Sequence, residues 1–271
     1  MSTKPERVSV YQPEQPGLEF PTVPVFETKD EERQHRKQRL VAACRAFAQH
    51  DLDYGFAGHL TVRDPESPEL YWTNPMAVHF AQVKISNLIL ADHEGHVREG
   101  SHAVNRAGFV LHSSVHEAHP DIIAMCHAHT VYGVAWAATG RPLDPITQDA
   151  ACFFEDHVVI EDEGGAVTVE REAGKRVAAA FKNVKAAIHR NHGLLTASRH
   201  SIDSAAFWFI ALGPIDIQDS RGVICVIHRS PACCELGAMD GEAIRTDRRA
   251  MAADIRIGAG QGGRSGSDRG R

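Results

Sequence analysis

Two apolar runs that each end in histidine constrain this chain more than any other feature. The first lies in "DIIAMCHAHTVYGVAW" and stops being hydrophobic at His127 and His129. In an extended strand Ile123, Met125, His127 and His129 share one face, while Ile122, Ala124 and Cys126 share the other. The H-x-H pair thus brings two imidazoles within reach of one cation. The second run, "AAIHRNHGLLTA", ends at His192 beside Gly193, which permits a sharp turn and leaves room for a ligand. If the two ends meet, three neutral nitrogen donors can hold a metal and leave positions open, as catalytic sites do. On spacing alone a structural role for so short a motif stays open.

The rest of the chain supplies a scaffold on which such ends can meet. Residues 1–30 are rich in Pro and Glu and read as an extended N-terminal arm, loose or laid on a neighbouring subunit. Residues 31–52 carry Leu40, Cys44 and Phe47 at helical spacing. "YGFAGHLTVRD" turns into a strand in which Leu60 and Val62 alternate with Thr61 and Arg63. "ELYWTN" is a second strand, and "NLILADHEGHVREG" a hairpin around Glu94-Gly95. "NRAGFVLHSSVHEAHPD" predicts a helix stopped by Pro120. After the H-x-H strand come a helix to Gly140, strands in "DHVVIED" and "AVTVE", a helix in "EAGKRVAAAFK", a buried strand in "VKAAIHRNHG", and a helix from Ser201 to Leu212. Strands alternating with helices predict one α/β domain over 31–212. Residues 213–271 show no sustained period, end in "GAGQGGRSGSDRGR", and read as a largely disordered tail.

Composition narrows the function classes. A net charge of −6 without a basic stripe argues against nucleic acid or membrane surfaces as partners. No window resembles a membrane span or a signal peptide, so a soluble cytoplasmic protein is expected. The six cysteines form no C-x-x-C pair and read as free thiols. Seventeen histidines, crowded between His102 and His200, raise the case for a metal.

Among the other histidines, His112 and His116 stack one turn apart on the predicted helix. His112 leads toward the H-x-H strand and is a candidate to orient a ligand or the substrate. His116 is either part of a polar helix face or a substrate contact. His189 and His200 read as solvated or structural, and His102 and His157 as loop residues. Nucleophilic catalysis fails for want of a G-x-S-x-G elbow near Ser113 and Ser114, and Cys126 points away from His127. No glycine-rich phosphate loop stands between a strand and a helix.

"NRAGFVLHSSVHEAHPDIIAMCHAHT", "GRPLDPITQDAACFFEDHVV" and "NHGLLTAS", in this order, resemble the class II aldolase/adducin family over about residues 35–212. The resemblance implies a three-layer α/β/α fold around a mainly antiparallel sheet, homotetramers with active sites at subunit interfaces, and metal held by His127, His129 and His192. One departure stands out. Sugar-phosphate aldolases of the family carry a catalytic Glu four residues before the position of His112, where this chain has Gly108. Without that base, proton abstraction beside a carbonyl is not expected. Adducin itself lacks the metal histidines that this chain keeps, which argues against a non-catalytic scaffold.

Length and N-terminal arm are most similar to a branch of non-haem iron oxygenases from aminocoumarin (clorobiocin and novobiocin) biosynthesis. That likeness implies Fe(II), with O₂ as co-substrate and a small aromatic 2-oxo acid as substrate. Two oxidative decarboxylations would take a prenylated 4-hydroxyphenylpyruvate through the mandelate to the benzoate. In that scheme His112 orients the substrate, and Phe109, Trp136 and Phe153 accept the ring and prenyl chain, although each also reads as plain core. The alternative is a Zn(II) or Mn(II) lyase, decarboxylase or aldolase, since imidazole suits several metals.

Overall fold

Thr28 opens the first helix, α1 (Lys29–Gln49), with a capping box: its hydroxyl accepts from the Glu31 amide while the Glu31 carboxylate takes the Thr28 amide. This is a computed structural model, and it describes residues 15–19, 22–52, 57–161 and 170–212. Leu40, Cys44 and Phe47 form the buried face of α1, as their spacing predicts. The helix is pinned by Arg33, which donates at 2.7 Å to Asp64 just past the first strand. Burial alone would raise the Asp64 pKa. Arg33, the Ser67 amide and the Trp72 indole instead hold it down at about 2.

Eight strands form one sheet: β1 (His59–Arg63), β2 (Leu70–Thr73), β3 (Ile89–Asp92), β4 (Val97–Glu99), β5 (Ala124–Ala128), β6 (His157–Ile160), β7 (Ala186–His189) and β8 (Gly193–Ser198). Their order is β4-β3-β2-β1-β5-β8-β7-β6, and only β6–β7 is parallel. The mainly antiparallel sheet that the family resemblance implies is present, as is the β3–β4 hairpin read at Gly95 (φ +83°). Strand β8 went unread because its start coincides with the His192 motif. The proposed strand in "AVTVE" and the segment 213–271 lie outside the described residues.

Helices cover both faces. On one, α2 (Arg106–Ala118) and α5 (Arg171–Phe181) place Leu111, Val115, Val177 and Phe181 against Met125, Ala187 and Leu195. On the other, α1 and the helix over 202–212 meet through Phe47 and Phe209, whose rings lie 4.9 Å apart. Thr196 of β8 donates at 2.8 Å to the Ala205 carbonyl on that side. β5 and β8 therefore lie inside the sheet, covered on both faces, which is why every residue of each is buried.

α2 and α5 approach closely because Gly174 has no side chain. A Cβ there would lie 2.2 Å from the Ser114 hydroxyl and 2.9 Å from the Val110 carbonyl. Overpacking of this kind costs about 1–3 kcal/mol. Gly174→Val should lower the unfolding free energy by that amount and the urea midpoint with it, and an unchanged midpoint would show that the two helices can separate freely.

Candidate metal centre

β5 delivers the first two imidazoles. His127 is buried within the strand, and His129 follows one residue beyond its end, on the same face. The third comes from the tight β7–β8 hairpin, where His189 pairs with Gly193 across a loop of Arg190, Asn191 and His192. Asn191 (φ +60°) and Gly193 (φ +157°) take backbone angles that β-branched or bulky residues avoid. Because β8 pairs with β5, this turn lies beside the end of the H-x-H strand.

The three rings form a nearly equilateral group, with centroids 4.9 Å apart for His127–His129 and 5.0 Å for the other two pairs. Each offers one nitrogen, all within 4.8 Å of one another. His127 Nδ1 donates at 2.7 Å to the Leu194 carbonyl, which fixes its tautomer and leaves Nε2 as the donor to a metal. Burial pushes the His127 pKa well below the ordinary imidazole value, and neighbouring His59, His192 and His129 add to this. Burial also lowers His129. Neutral imidazole is the form that ligates, so this chemistry fits a divalent cation.

A fourth imidazole was missed by sequence reasoning. His59 on β1 pairs directly with His127 on β5, so both side chains leave the sheet on one face. Its ring lies 5.0 Å from His127 and 4.2 Å from His112. Extending the Thr61/Arg63 alternation back by one step would have found it. The ring occupies space that Gly108 leaves: a Cβ at 108 would lie 2.1 Å from Cε1 and 2.3 Å from Nδ1 of His59. Burial, then His112, His192 and His129, push the His59 pKa well down, against a smaller upward pull from the Gly108 backbone. Neither ring nitrogen makes a hydrogen bond of normal geometry.

His59 and the three clustered histidines line a cavity of about 440 Å³, with Met76, Arg106 and Leu111 also in its wall. No carboxylate lines it among the described residues. A larger groove of about 810 Å³ beside α1 carries no histidine, cysteine or carboxylate and is not a candidate site.

The other expected residues fall elsewhere. His112 and His116 are fully buried behind the cavity wall, both bonded to Thr61. Phe109 packs edge-on to Tyr71, Phe153 meets Trp208 edge-on, and Trp136 is buried on α3 (Val131–Ala137). None of these three aromatics lines the cavity; each packs elsewhere, Phe109 on Tyr71, Phe153 on Trp208 and Trp136 beneath Arg141. His157 is not a loop residue but opens β6, its Nδ1 donating to Phe153 and its Nε2 accepting the Leu143 amide. His189 is buried and stacks on His192 at 4.8 Å. Cys126 is buried, and its thiol is pushed well up by burial, so it is no nucleophile.

A mainly antiparallel sheet between two helix layers, with three histidines gathered where central strands end, defines a class of α/β domain built to hold a metal. The chain belongs to the family described as Class II Aldolase and Adducin N-terminal domain, which matches residues 38–213. It is 43% identical over 195 residues to "Decarboxylase NovR" of Streptomyces niveus, covering 71% of this chain and 72% of that protein. It is 42% identical over 191 residues to the "4-hydroxy-3-prenylphenylpyruvate oxygenase/4-hydroxy-3-prenylbenzoate synthase" of Streptomyces roseochromogenus subsp. oscitans, covering 70% and 68%. Among solved structures, the L-fuculose 1-phosphate aldolase from Glaciozyma antarctica PI12 matches with a TM-score of 0.66 at 42% identity, covering 72% of this chain and 76% of that one. No helix among the described residues is long and apolar enough to cross a membrane.

Two outcomes test the site. Replacing His127, His129 and His192 together by Ala should abolish tight binding of Zn(II) in calorimetry, and retained stoichiometric binding would refute the centre. The buried imidazoles also predict acid lability. His116 is held down at about 3, chiefly by burial and then by Arg63, against an unfolded value of about 6.5. The unfolded chain therefore binds more protons below pH 6.5, and stability falls as pH drops from about 6.5 toward 3. Each such imidazole removes about 1.4 kcal/mol per pH unit in that window, with His59 and His112 shifted in the same direction. The urea midpoint should drop from pH 7 to pH 5; a flat profile would contradict buried neutral rings.

Proposed function

We propose that this protein is an Fe(II)-dependent oxygenase, forming a homotetramer, that oxidatively decarboxylates a prenylated 4-hydroxyphenylpyruvate. The observation that carries this reading is the Gly108–His59 replacement. Where an aldolase of this family needs a carboxylate base, the space is filled by a neutral imidazole. A carboxylate-free cavity beside Arg106 and the start of α2 suits an anionic acid substrate far better than a wall with its own negative charge. The two Streptomyces relatives, named as a decarboxylase and as a prenylphenylpyruvate oxygenase, support the same choice.

His127, His129 and His192 would hold the metal. When bound, it supplies a centre that activates O₂ and templates a chelating 2-oxo acid. The protein's part is orientation and exclusion of water. Arg106 draws the carboxylate end, and Met76, Val104 and Leu111 give the aromatic ring an apolar wall, in place of Phe109, Trp136 and Phe153. In the first turnover the 2-oxo acid and O₂ give the 2-hydroxy acid and CO₂, with both oxygen atoms retained among these products. In the second, the 2-hydroxy acid and O₂ give the benzoate, CO₂ and water.

A second reading, a Zn(II)- or Mn(II)-dependent lyase, is favoured by the 42% identity to the Glaciozyma L-fuculose 1-phosphate aldolase. Oxygen uptake separates the two. With 3-prenyl-4-hydroxyphenylpyruvate, protein reconstituted anaerobically with Fe(II) should consume O₂ on exposure to air and yield mandelate, then benzoate, by mass spectrometry. Zn(II) protein should consume none. Turnover with Zn(II) and no O₂ uptake with Fe(II) would establish the lyase instead.

A further inference from the structure

The turn that carries His192 is tied down along its whole backbone. His189, the last residue of β7, pairs with Gly193 of β8 on one side and with Ile160 of β6 on the other. Within the turn the Arg190 amide donates at 3.0 Å to the Ile160 carbonyl, and the Asn191 amide at 3.2 Å to the Ala137 carbonyl of α3. The His192 amide donates at 3.0 Å to the His189 carbonyl. Arg190 also reaches Glu161 at 3.3 Å. None of these bonds uses the His189 side chain, so the path of the loop does not depend on what that side chain is.

The backbone does not set the plane of the His192 ring. The torsion that turns an imidazole about its Cβ–Cγ bond has broad minima. A metal is held by a lone pair in the ring plane, so a ring turned out of place aims that lone pair past the ion. The His189 ring lies flat against His192, with centroids 4.8 Å apart and planes 8° from parallel. His129 and His127 meet His192 at 89° and 51°, so neither of these two ligands lies flat on its face. Rotation about Cβ–Cγ would drive an edge of His192 into His189, whereas sliding within the plane would not. His189 itself is buried, at 1% exposure. It is neither a ligand nor a substrate contact: it stands outside the group of nitrogens gathered within 4.8 Å, and it does not line the cavity.

We propose that His189 is a positioning residue for the metal centre, its stacked ring setting the plane of His192 before metal arrives. The three lone pairs then converge on a cation without rearrangement. This role belongs to the flat face of the ring and not to its nitrogens. Another flat side chain can fill it, and an aliphatic one of similar size cannot. Preorganisation of this kind is read in affinity, because a ligand already in place loses less freedom on binding. The inference rests on the reading of His127, His129 and His192 as a metal centre, and on neither the oxygenase nor the lyase.

The test uses the full-length wild-type protein, His189→Phe and His189→Leu, each stripped of metal and titrated with Zn(II) against a chromophoric chelator. His189→Leu should weaken binding about three- to tenfold, the worth of one stacked aromatic pair, and His189→Phe should stay within about twofold of wild type. Co(II) gives a second readout, because its visible bands follow the directions of the ligands. Wild type and His189→Phe should share one Co(II) spectrum, and His189→Leu should differ. A merely structural residue would move the urea midpoint of the metal-free protein and neither metal readout. Equal affinity with one spectrum in all three proteins would make His189 plain core. Equal loss in both variants would assign the effect to a His189 nitrogen. Either result sinks the proposal. If the variants do not fold, the wild type decides: NOEs between the His189 and His192 ring protons must be present in the metal-free protein as well as with Zn(II). Their absence without metal would overturn the proposal. Retained Zn(II) binding in the triple alanine variant would instead refute the centre itself, and a lack of O₂ uptake with Fe(II) leaves each of these readouts intact.

Discussion

The pairing of β1, β5 and β8 at the centre of the sheet is the constraint on which the site depends. Antiparallel register sets His59 opposite His127 on one side and Leu195 opposite His127 on the other. A slip of one residue would turn His127 to the opposite face and bring Cys126 to the site in its place. The β7–β8 hairpin then has only one place to put His192. The Leu194 carbonyl that fixes the His127 tautomer belongs to the same ladder, so strand pairing sets both the positions and the protonation pattern of the centre.

Two glycines tune what that frame can do. Gly193 adopts φ +157° at the hairpin's end, a backbone angle that favours glycine, and a Cβ there would only touch the His127 and His129 rings at 3.5 and 3.6 Å. Gly108 acts by absence. It opens the start of α2 to the His59 ring, and the two positions are sterically linked, since a glutamate at 108 could not coexist with the present His59. The exchange replaces a negative group beside the metal site with a neutral one.

Much of this was legible in the sequence because it rests on local periods. The period-two alternation of "IIAMCHAH" placed His127 and His129 together, and the N-H-G ending marked the turn that carries His192. The α2 and β3–β4 readings rested on equally local signals. His59 was not legible, because nothing within β1 says which strand lies beside it. Thr61 escaped for the same reason, and its two imidazole partners come from a helix more than 50 residues away. Phe109, Trp136 and Phe153 were assigned by their chemistry as ring acceptors. An aromatic beside a metal motif and one in the core look alike until packing separates them.

The account's central claim is that three imidazoles from β5 and the β7–β8 turn hold a divalent metal with no carboxylate or sulfur among the protein ligands. X-ray absorption at the metal edge of the loaded protein tests it most directly. Three imidazole nitrogens at about 2.0–2.1 Å, with light-atom ligands completing the shell, are the predicted result. A sulfur scatterer, or fewer than three imidazoles, would contradict it.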